Sequence, residues 1–169
     1  MRWVRGAYEV DTDCARLDMR LVCKALKTTY WGKSRTPAAM RKGFAHSRVV
    51  FGIYARKEGG ALVGFARVVT DTSTFAWLAD VFVDPARRGE GLGKFLIQCV
   101  RKHPDCRNVY RFMLATRDAH GLYEQNGWSP ITDPETYMVL AKPDWWNTPQ
   151  TGLENRKRSQ KPLAGSQKF

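Results

Sequence analysis

An α/β chain of the α+β type is what this sequence predicts: a single domain with a central mixed, mostly antiparallel sheet of about six to seven strands and about four flanking helices. Three observations carry that expectation. Residues 49–54 and 61–69 are β-branched and aromatic runs separated by Glu58-Gly59-Gly60, the mark of an antiparallel hairpin. Residues 75–83 follow a second turn at 71–73 and are nearly all apolar apart from Asp80, as in a strand buried on both faces. Around these runs lie segments with apolar residues at helical spacing, and 169 residues that are 43% hydrophobic and 26% charged bury one sizeable core rather than two.

From the N-terminus, residues 7–10 form a short strand. Asp11, Thr12 and Asp13 then offer N-caps to a helix whose apolar positions are Leu17, Leu21, Val22 and Leu26. Tyr30, Trp31 and Gly32 break the pattern, and Thr36-Pro37 is a cap followed by a first-turn proline, opening a second helix through Met40 to about Phe44. After the hairpin and the buried strand, Leu92, Phe95, Leu96, Cys99 and Val100 share one helical face, and Pro104 stops that helix. Residues 109–114 form another strand. Thr116 or Asp118 caps a short helix through Tyr123 to Gln125, and Gly127 fits its C-terminal stop. Trp128 and residues 137–140 supply two closing strands. Beyond Pro143 the chain turns to Asn, Pro, Gln, Gly and basic residues without apolar periodicity, so the expected domain spans residues 1–143 and residues 144–169 form a basic, mobile tail.

Lys and Arg total 28 against 16 Asp and Glu, a formal charge of +12 with a pI near 9.9. In the tail, Arg156, Lys157, Arg158, Lys161 and Lys168 face one acidic residue, Glu154, and the remaining +8 is dispersed. No zinc-finger spacing, RNP aromatics or recognition helix accompanies the charge. A polyanionic small ligand such as a phosphorylated cofactor therefore explains it at least as well as nucleic acid. Cys14, Cys23, Cys99 and Cys106 lack CxxC spacing and read as reduced thiols, and no metal site is expected. No apolar run approaches the roughly 20 residues that span a bilayer, and MRWVRGAYEV lacks the apolar stretch of a secretory signal. A cytoplasmic protein with no membrane partner is expected.

The segment that carries chemistry follows the buried strand, where Arg87-Arg88-Gly89-Glu90-Gly91-Leu92-Gly93-Lys94 runs straight into a helix. A strand, a tight glycine loop and a helix N-terminus together aim backbone N–H groups at phosphate oxygens. Glycines at 89, 91 and 93 let the backbone approach a pyrophosphate closely, and Arg88 and Lys94 add positive charge. A Walker loop needs GxxxxGK followed by Ser or Thr, whereas Phe95 follows Lys94. The dinucleotide fingerprint needs GxGxxG after a βαβ strand, whereas the spacing here is GxGxG after a hairpin. On this segment alone, a glycine-rich turn with no ligand stays open.

In this element order, Arg88-Gly89-Glu90-Gly91-Leu92-Gly93 resembles the R-x-x-G-x-G/A motif of the GNAT acyl-CoA N-acyltransferases, and GLYEQNGW at residues 121–128 is similar to that family's LYExxGF box. The resemblance covers roughly residues 5–141. FARVVTD, WLADVFVDP and LATRDAHGLYE further resemble a group of largely uncharacterised bacterial-type acetyltransferases. What the resemblance implies is a GNAT-like domain whose loop residues Arg88, Gly89, Glu90, Gly91, Leu92, Gly93 and Lys94 grip the pyrophosphate of acetyl-CoA as co-substrate. It further implies that Val81, Phe82 and Val83 bind the pantetheine arm through their backbone, that Thr116 lies on the cofactor side, and that Tyr123 protonates the departing thiolate. Two departures are visible. Phe75 stands where many members carry a glutamate base, and Thr116 and Asp118 stand where many have an asparagine.

Acyl transfer from a thioester to an amine needs a neutral amine, a polarised carbonyl and a protonated leaving thiolate. Asp80, or a water held by it, is the first candidate base and His120 the second; a backbone N–H near Val81 polarises the carbonyl in the resembling family. Asp80 also reads as a paired structural carboxylate, His120 as a surface or capping residue, and Tyr123 as a core aromatic. Tyr30, Trp31, Arg35, Phe75 and Trp77 are the candidate acceptor pocket, although Tyr30 and Trp31 could equally be core anchors. Cys99 and Cys106 have no adjacent histidine, so direct transfer is expected rather than an acyl-enzyme. The expected function is an acetyl-CoA-dependent N-acetyltransferase acting on a small amine. The alternatives are a protein or peptide N-acyltransferase, and a non-catalytic basic interaction or nucleic-acid-binding protein on the same fold. A homodimer stays open.

Overall fold

The structure, a computed structural model, describes residues 1–140, and the chain divides into two units, Met1–Ile131 and Thr132–Phe169. The whole sheet lies in the first unit. Its six strands are β1 (Arg2–Arg5), β2 (Tyr8–Asp11), β3 (Val49–Ala55), β4 (Ala61–Thr70), β5 (Phe75–Val83) and β6 (Arg111–Met113). They lie in that spatial order; the first five run antiparallel, and β6 joins β5 in parallel. The β3–β4 turn falls at Glu58–Gly60 as the sequence predicts, with Gly59 and Gly60 both at positive φ.

Among the described residues five helices flank the sheet: α1 (Met19–Lys27), α2 (Pro37–Ala45), α3 (Leu92–Lys102), α4 (Pro104–Arg107) and α5 (His120–Glu124). Thr36 caps α2 by accepting from the Ala39 amide, with Pro37 in the first turn. The predicted stripe on α3 is buried in full: Leu92, Phe95, Leu96, Cys99 and Val100 pack with Phe51, Ile53, Val68 and Leu78 on one face of the sheet. On the other face, α1 and α2 set Val22, Leu26, Met40 and Phe44 against Val50 and Phe65. Truncating any of these large side chains to alanine would cost about 2–5 kcal/mol. No helix among the described residues is long and apolar enough to cross a membrane.

The structure departs from the expected elements in several places. An additional strand, β1, precedes the predicted one; Arg2 and Arg16 pin this hairpin through Asp11 and Glu9. Helix α1 begins later than the Asp11–Asp13 caps suggest, because Asp13 caps a separate 3-10 turn and Asp18 caps the helix itself. That start fixes the buried stripe on Val22, Cys23 and Leu26 and leaves Leu21 47% exposed. Trp128 forms no strand: its indole N–H donates to the Phe112 carbonyl (2.9 Å) and its ring packs against Phe112 and Tyr123, sealing the flank of β6. Residues 137–140 carry no strand in the described residues, and Met138, Val139 and Leu140 are exposed. The expected basic tail, 144–169, lies outside the described residues.

Candidate active site

The site begins where two strands part. β6 pairs with β5 only over Phe75–Trp77, so the remainder of β5, residues 78–83, has no strand beside it on that side among the described residues. On its other side β5 carries a bulge. Phe65 faces Phe82 and Arg67 faces Ala79, so Asp80 and Val81 together oppose the single residue Ala66. Asp80 sits at the left-handed position, φ +54°, a conformation that costs a non-glycine residue roughly 1–2 kcal/mol. The inserted residue switches the faces of the strand. Before it Ala76 and Leu78 face the α3 core; after it Val81 and Val83 do, while Phe82 joins the α1–α2 core.

Asp80 is 7% exposed and held by two arginines. Arg35, from the loop between α1 and α2, donates through Nη2 to Oδ1 (2.5 Å) and through Nη1 to Oδ2 (3.1 Å). Arg67 on β4 donates through Nε to Oδ2 (2.6 Å) and through Nη1 to the Ser47 hydroxyl (3.2 Å). Burial pushes the carboxyl upward, but the hydrogen bonds and charges of Arg35 and Arg67 outweigh it and hold Asp80 below the usual carboxylate range. Both carboxylate oxygens of Asp80 thus accept from guanidinium nitrogens, and Arg35 reaches Asp80 through two of its own. Nothing in the local sequence singled out Arg67, which lies within a regular strand.

At the far end of β5 the glycine loop turns into α3. Gly89 and Gly91 both lie at positive φ, and Gly91 is the N-cap of α3 without any side-chain cap. The first backbone bond of the helix runs from the Phe95 amide to Gly91, which leaves the amides of Leu92, Gly93 and Lys94 without a backbone partner among the described residues. Arg88 and Lys94 are exposed and form no ion pair with a described residue. Glu90 lies between them in the sequence. The N-terminal hairpin grips it: Arg5 Nη2 donates to its carbonyl (3.0 Å) and the Tyr8 hydroxyl to its carboxylate (2.5 Å). Arg5 also lies over the Phe95 ring and 3.5 Å from where a Cβ on Gly91 would stand. The local sequence carries no mark of these contacts, since about 80 residues separate Arg5 and Tyr8 from the loop.

Leu122 of α5 lies 3.4 Å from where a Cβ on Gly93 would stand, so the two helices meet at this turn of α3. On α5, Tyr123 is 8% exposed; burial first, then the charges of Tyr30 and Asp118, push its phenol up to about 12. Its hydroxyl forms no hydrogen bond to a described residue. Tyr30 reaches across from the α1–α2 loop, where its hydroxyl accepts from the Arg117 amide (3.0 Å) and donates to Asp118 (3.4 Å). The Arg117 guanidinium covers the Tyr30 ring, and Trp31 stands edge-on to it. Thr116 accepts from the Ala119 amide (3.1 Å), so its hydroxyl serves the start of α5. His120 is the exposed first residue of α5.

The structure thus joins Tyr30 and Trp31 to the segment carrying Tyr123, and puts Trp77 at the last paired position before the strands part. Phe75 does not join them. It faces Arg111 in the paired stretch beside the Thr70–Phe75 turn, about 16 Å of extended chain from Asp80. Its exposure, 39%, is that of a residue at a strand end.

Parted strands, a bulged central strand and an uncapped glycine N-terminus at the end of that strand agree with the matches to known proteins. The family model described as Acetyltransferase (GNAT) family matches residues 20–128. The chain belongs to the GNAT acetyltransferase family. A GNAT-family acetyltransferase structure from Xanthomonas campestris pv. campestris is 40% identical, with a TM-score of 0.76, covering 83% of this chain and 97% of that one. An acetyltransferase of Gibberella zeae is 29% identical over 141 residues, 73% of this chain and 80% of its own. Glucosamine-6-phosphate N-acetyltransferase from Arabidopsis thaliana, 18% identical with a TM-score of 0.56 over 80% of this chain and 97% of that one, shares the fold. As a GNAT enzyme the protein is an acyl-CoA-dependent N-acetyltransferase, and the family's co-substrate is acetyl-CoA. The residues present are compatible with a diphosphate: one loop carries two left-handed glycines, three helix amides without a backbone partner and two exposed cations without an ion pair among the described residues.

Proposed function

We propose that this acetyltransferase passes the acetyl group directly from acetyl-CoA to the primary amine of a small molecule. The observation that supports a small acceptor is the Tyr30 bridge. It draws the α1–α2 loop onto Arg117 and Asp118, beside Tyr123, and a closed approach of this kind admits a compact amine more readily than a folded protein surface. In this reading the α3 amides with Arg88 and Lys94 hold the pyrophosphate, and the backbone of Val81, Phe82 and Val83 receives the pantetheine arm along the unpaired edge of β5. The Val81 amide polarises the thioester carbonyl. As the new N–C bond forms and the C–S bond breaks, Tyr123 gives its phenolic proton to the leaving sulfur. The amine's own proton leaves to His120 or to water.

Direct transfer is supported by the cysteines. Burial pushes the thiols of Cys99 and Cys106 up to about 12, so neither supplies a thiolate nucleophile near neutral pH. Four free cysteines also fit a reducing compartment such as the cytoplasm. Thiol release from acetyl-CoA, measured across a panel of small primary amines and across lysine and N-terminal peptides, tests the proposal. Turnover confined to peptides would replace it with a protein N-acyltransferase. Salt-sensitive nucleic-acid binding without thiol release would replace it with a non-catalytic role.

A further inference from the structure

We infer that Asp80 is a positioning residue: clamped by Arg35 and Arg67, it holds β5 in the left-handed bulge that presents the Val81 amide, and it ties the acceptor-side loop to that strand. The inference rests on the proposed function for what the Val81 amide does, but the clamp itself is read from the geometry. Residue 80 occupies the position of a bulge that ordinarily takes glycine, because glycine alone adopts positive φ without penalty. An aspartate persists there only if its surroundings over-determine the conformation. Here they do. Three guanidinium nitrogens converge on its two oxygens from separate elements, Arg35 from the α1–α2 loop and Arg67 from β4, and Arg67 is itself held by Ser47.

Removing the bulge has a defined consequence. Without the extra residue, Val81 would move to the α1–α2 face and Asp80 to the apolar α3 face, exchanging the sides that the two cores now assign them. The amide after the bulge would turn with them. Arg35 adds a second link, because its loop also carries Tyr30, whose bridge reaches Arg117 and Asp118. One carboxylate therefore fixes both the strand that meets the acyl group and the loop that meets the acceptor.

Comparing Asp80→Gly with Asp80→Ala tests this. Both variants lack the carboxylate and leave the same two arginines unpaired, so they differ chiefly in tolerance of positive φ. Turnover of the best amine should be roughly tenfold faster in Asp80→Gly than in Asp80→Ala, and Asp80→Gly should keep the acidic limb of the wild-type pH–rate profile. Equal rates in the two variants overturn the bulge argument. Loss of the acidic limb in Asp80→Gly overturns it in favour of Asp80 as the general base. Should both variants fail to fold, Arg35→Lys and Arg67→Lys keep the charge but loosen the clamp; a several-fold fall in kcat with unchanged CoA affinity is expected, and wild-type kcat in both refutes the inference. Wild-type protein that turns over amines while the variants contradict these expectations sinks the positioning role alone. Wild-type protein whose melting temperature does not respond to acetyl-CoA sinks the acyl-CoA reading and this inference with it.

Discussion

Replacing Tyr123 by phenylalanine separates proton donation from packing. The ring is 8% exposed and lies against Trp128, with centroids 6.0 Å apart, and phenylalanine preserves both the volume and that contact. Only the hydroxyl is lost, and it has no hydrogen-bond partner among the described residues to leave stranded, so the melting temperature should change little. General acid catalysis contributes roughly 10²–10⁴-fold, or about 2.7–5.4 kcal/mol of barrier. Burial pushes this phenol up to about 12, which keeps it protonated across neutral pH but makes it a weaker acid, and a thiolate departs readily on its own. The expected loss in kcat is therefore near the lower end, about 100-fold. The dissociation constant for CoA, measured by calorimetry, should stay within about twofold. A variant that keeps half or more of the wild-type kcat, under conditions where chemistry limits the rate, would show that Tyr123 is a core aromatic and not the acid.

Gly91→Glu should abolish the rise in melting temperature that millimolar acetyl-CoA produces in the wild type, because it sets a side chain and a negative charge at the uncapped start of α3, at a positive φ that glutamate resists. Arg5→Ala should weaken CoA binding several-fold in the same assay without a change in acceptor KM, since Arg5 holds the loop through the Glu90 carbonyl; unchanged affinity would make the hairpin contact incidental. Tyr30→Phe should raise the acceptor KM several-fold and leave CoA affinity alone, by releasing the α1–α2 loop from Arg117 and Asp118. Stability should fall as pH drops below about 6.5: burial lowers the His103 pKa from its ordinary value, so the folded protein keeps the ring neutral where the unfolded chain takes up a proton, and the loss grows until pH passes the lower folded value. Urea midpoints measured between pH 8 and 5 should show that decline in the wild type and a flatter profile in His103→Asn, which retains an acceptor for the Asp105 amide.

What the sequence made legible was whatever its own neighbours determine. Gly59 and Gly60 turn a hairpin wherever they stand between two β-branched runs, Thr36-Pro37 starts a helix by its own side chain and ring, and Phe75–Val83 came out with its ends in place. The glycine loop was legible for the same reason, since its amides and positive-φ glycines are contiguous. The parts that escaped are joined across the chain. Arg5 meets Glu90 over 85 residues and Arg35 meets Asp80 over 45, and no periodicity in either segment records those contacts. Asp80 shows where the boundary lies. An ionisable group in an apolar run announces that the fold must neutralise it, which the sequence does reveal. Whether that group serves as a base or as a clamp depends on what neutralises it: a proton or a water would leave it free for chemistry, while two guanidinium groups commit both oxygens. The bulge that brings Arg67 within reach of Asp80 has no local mark either, because the residue at its left-handed position is an aspartate where a glycine would have signalled it.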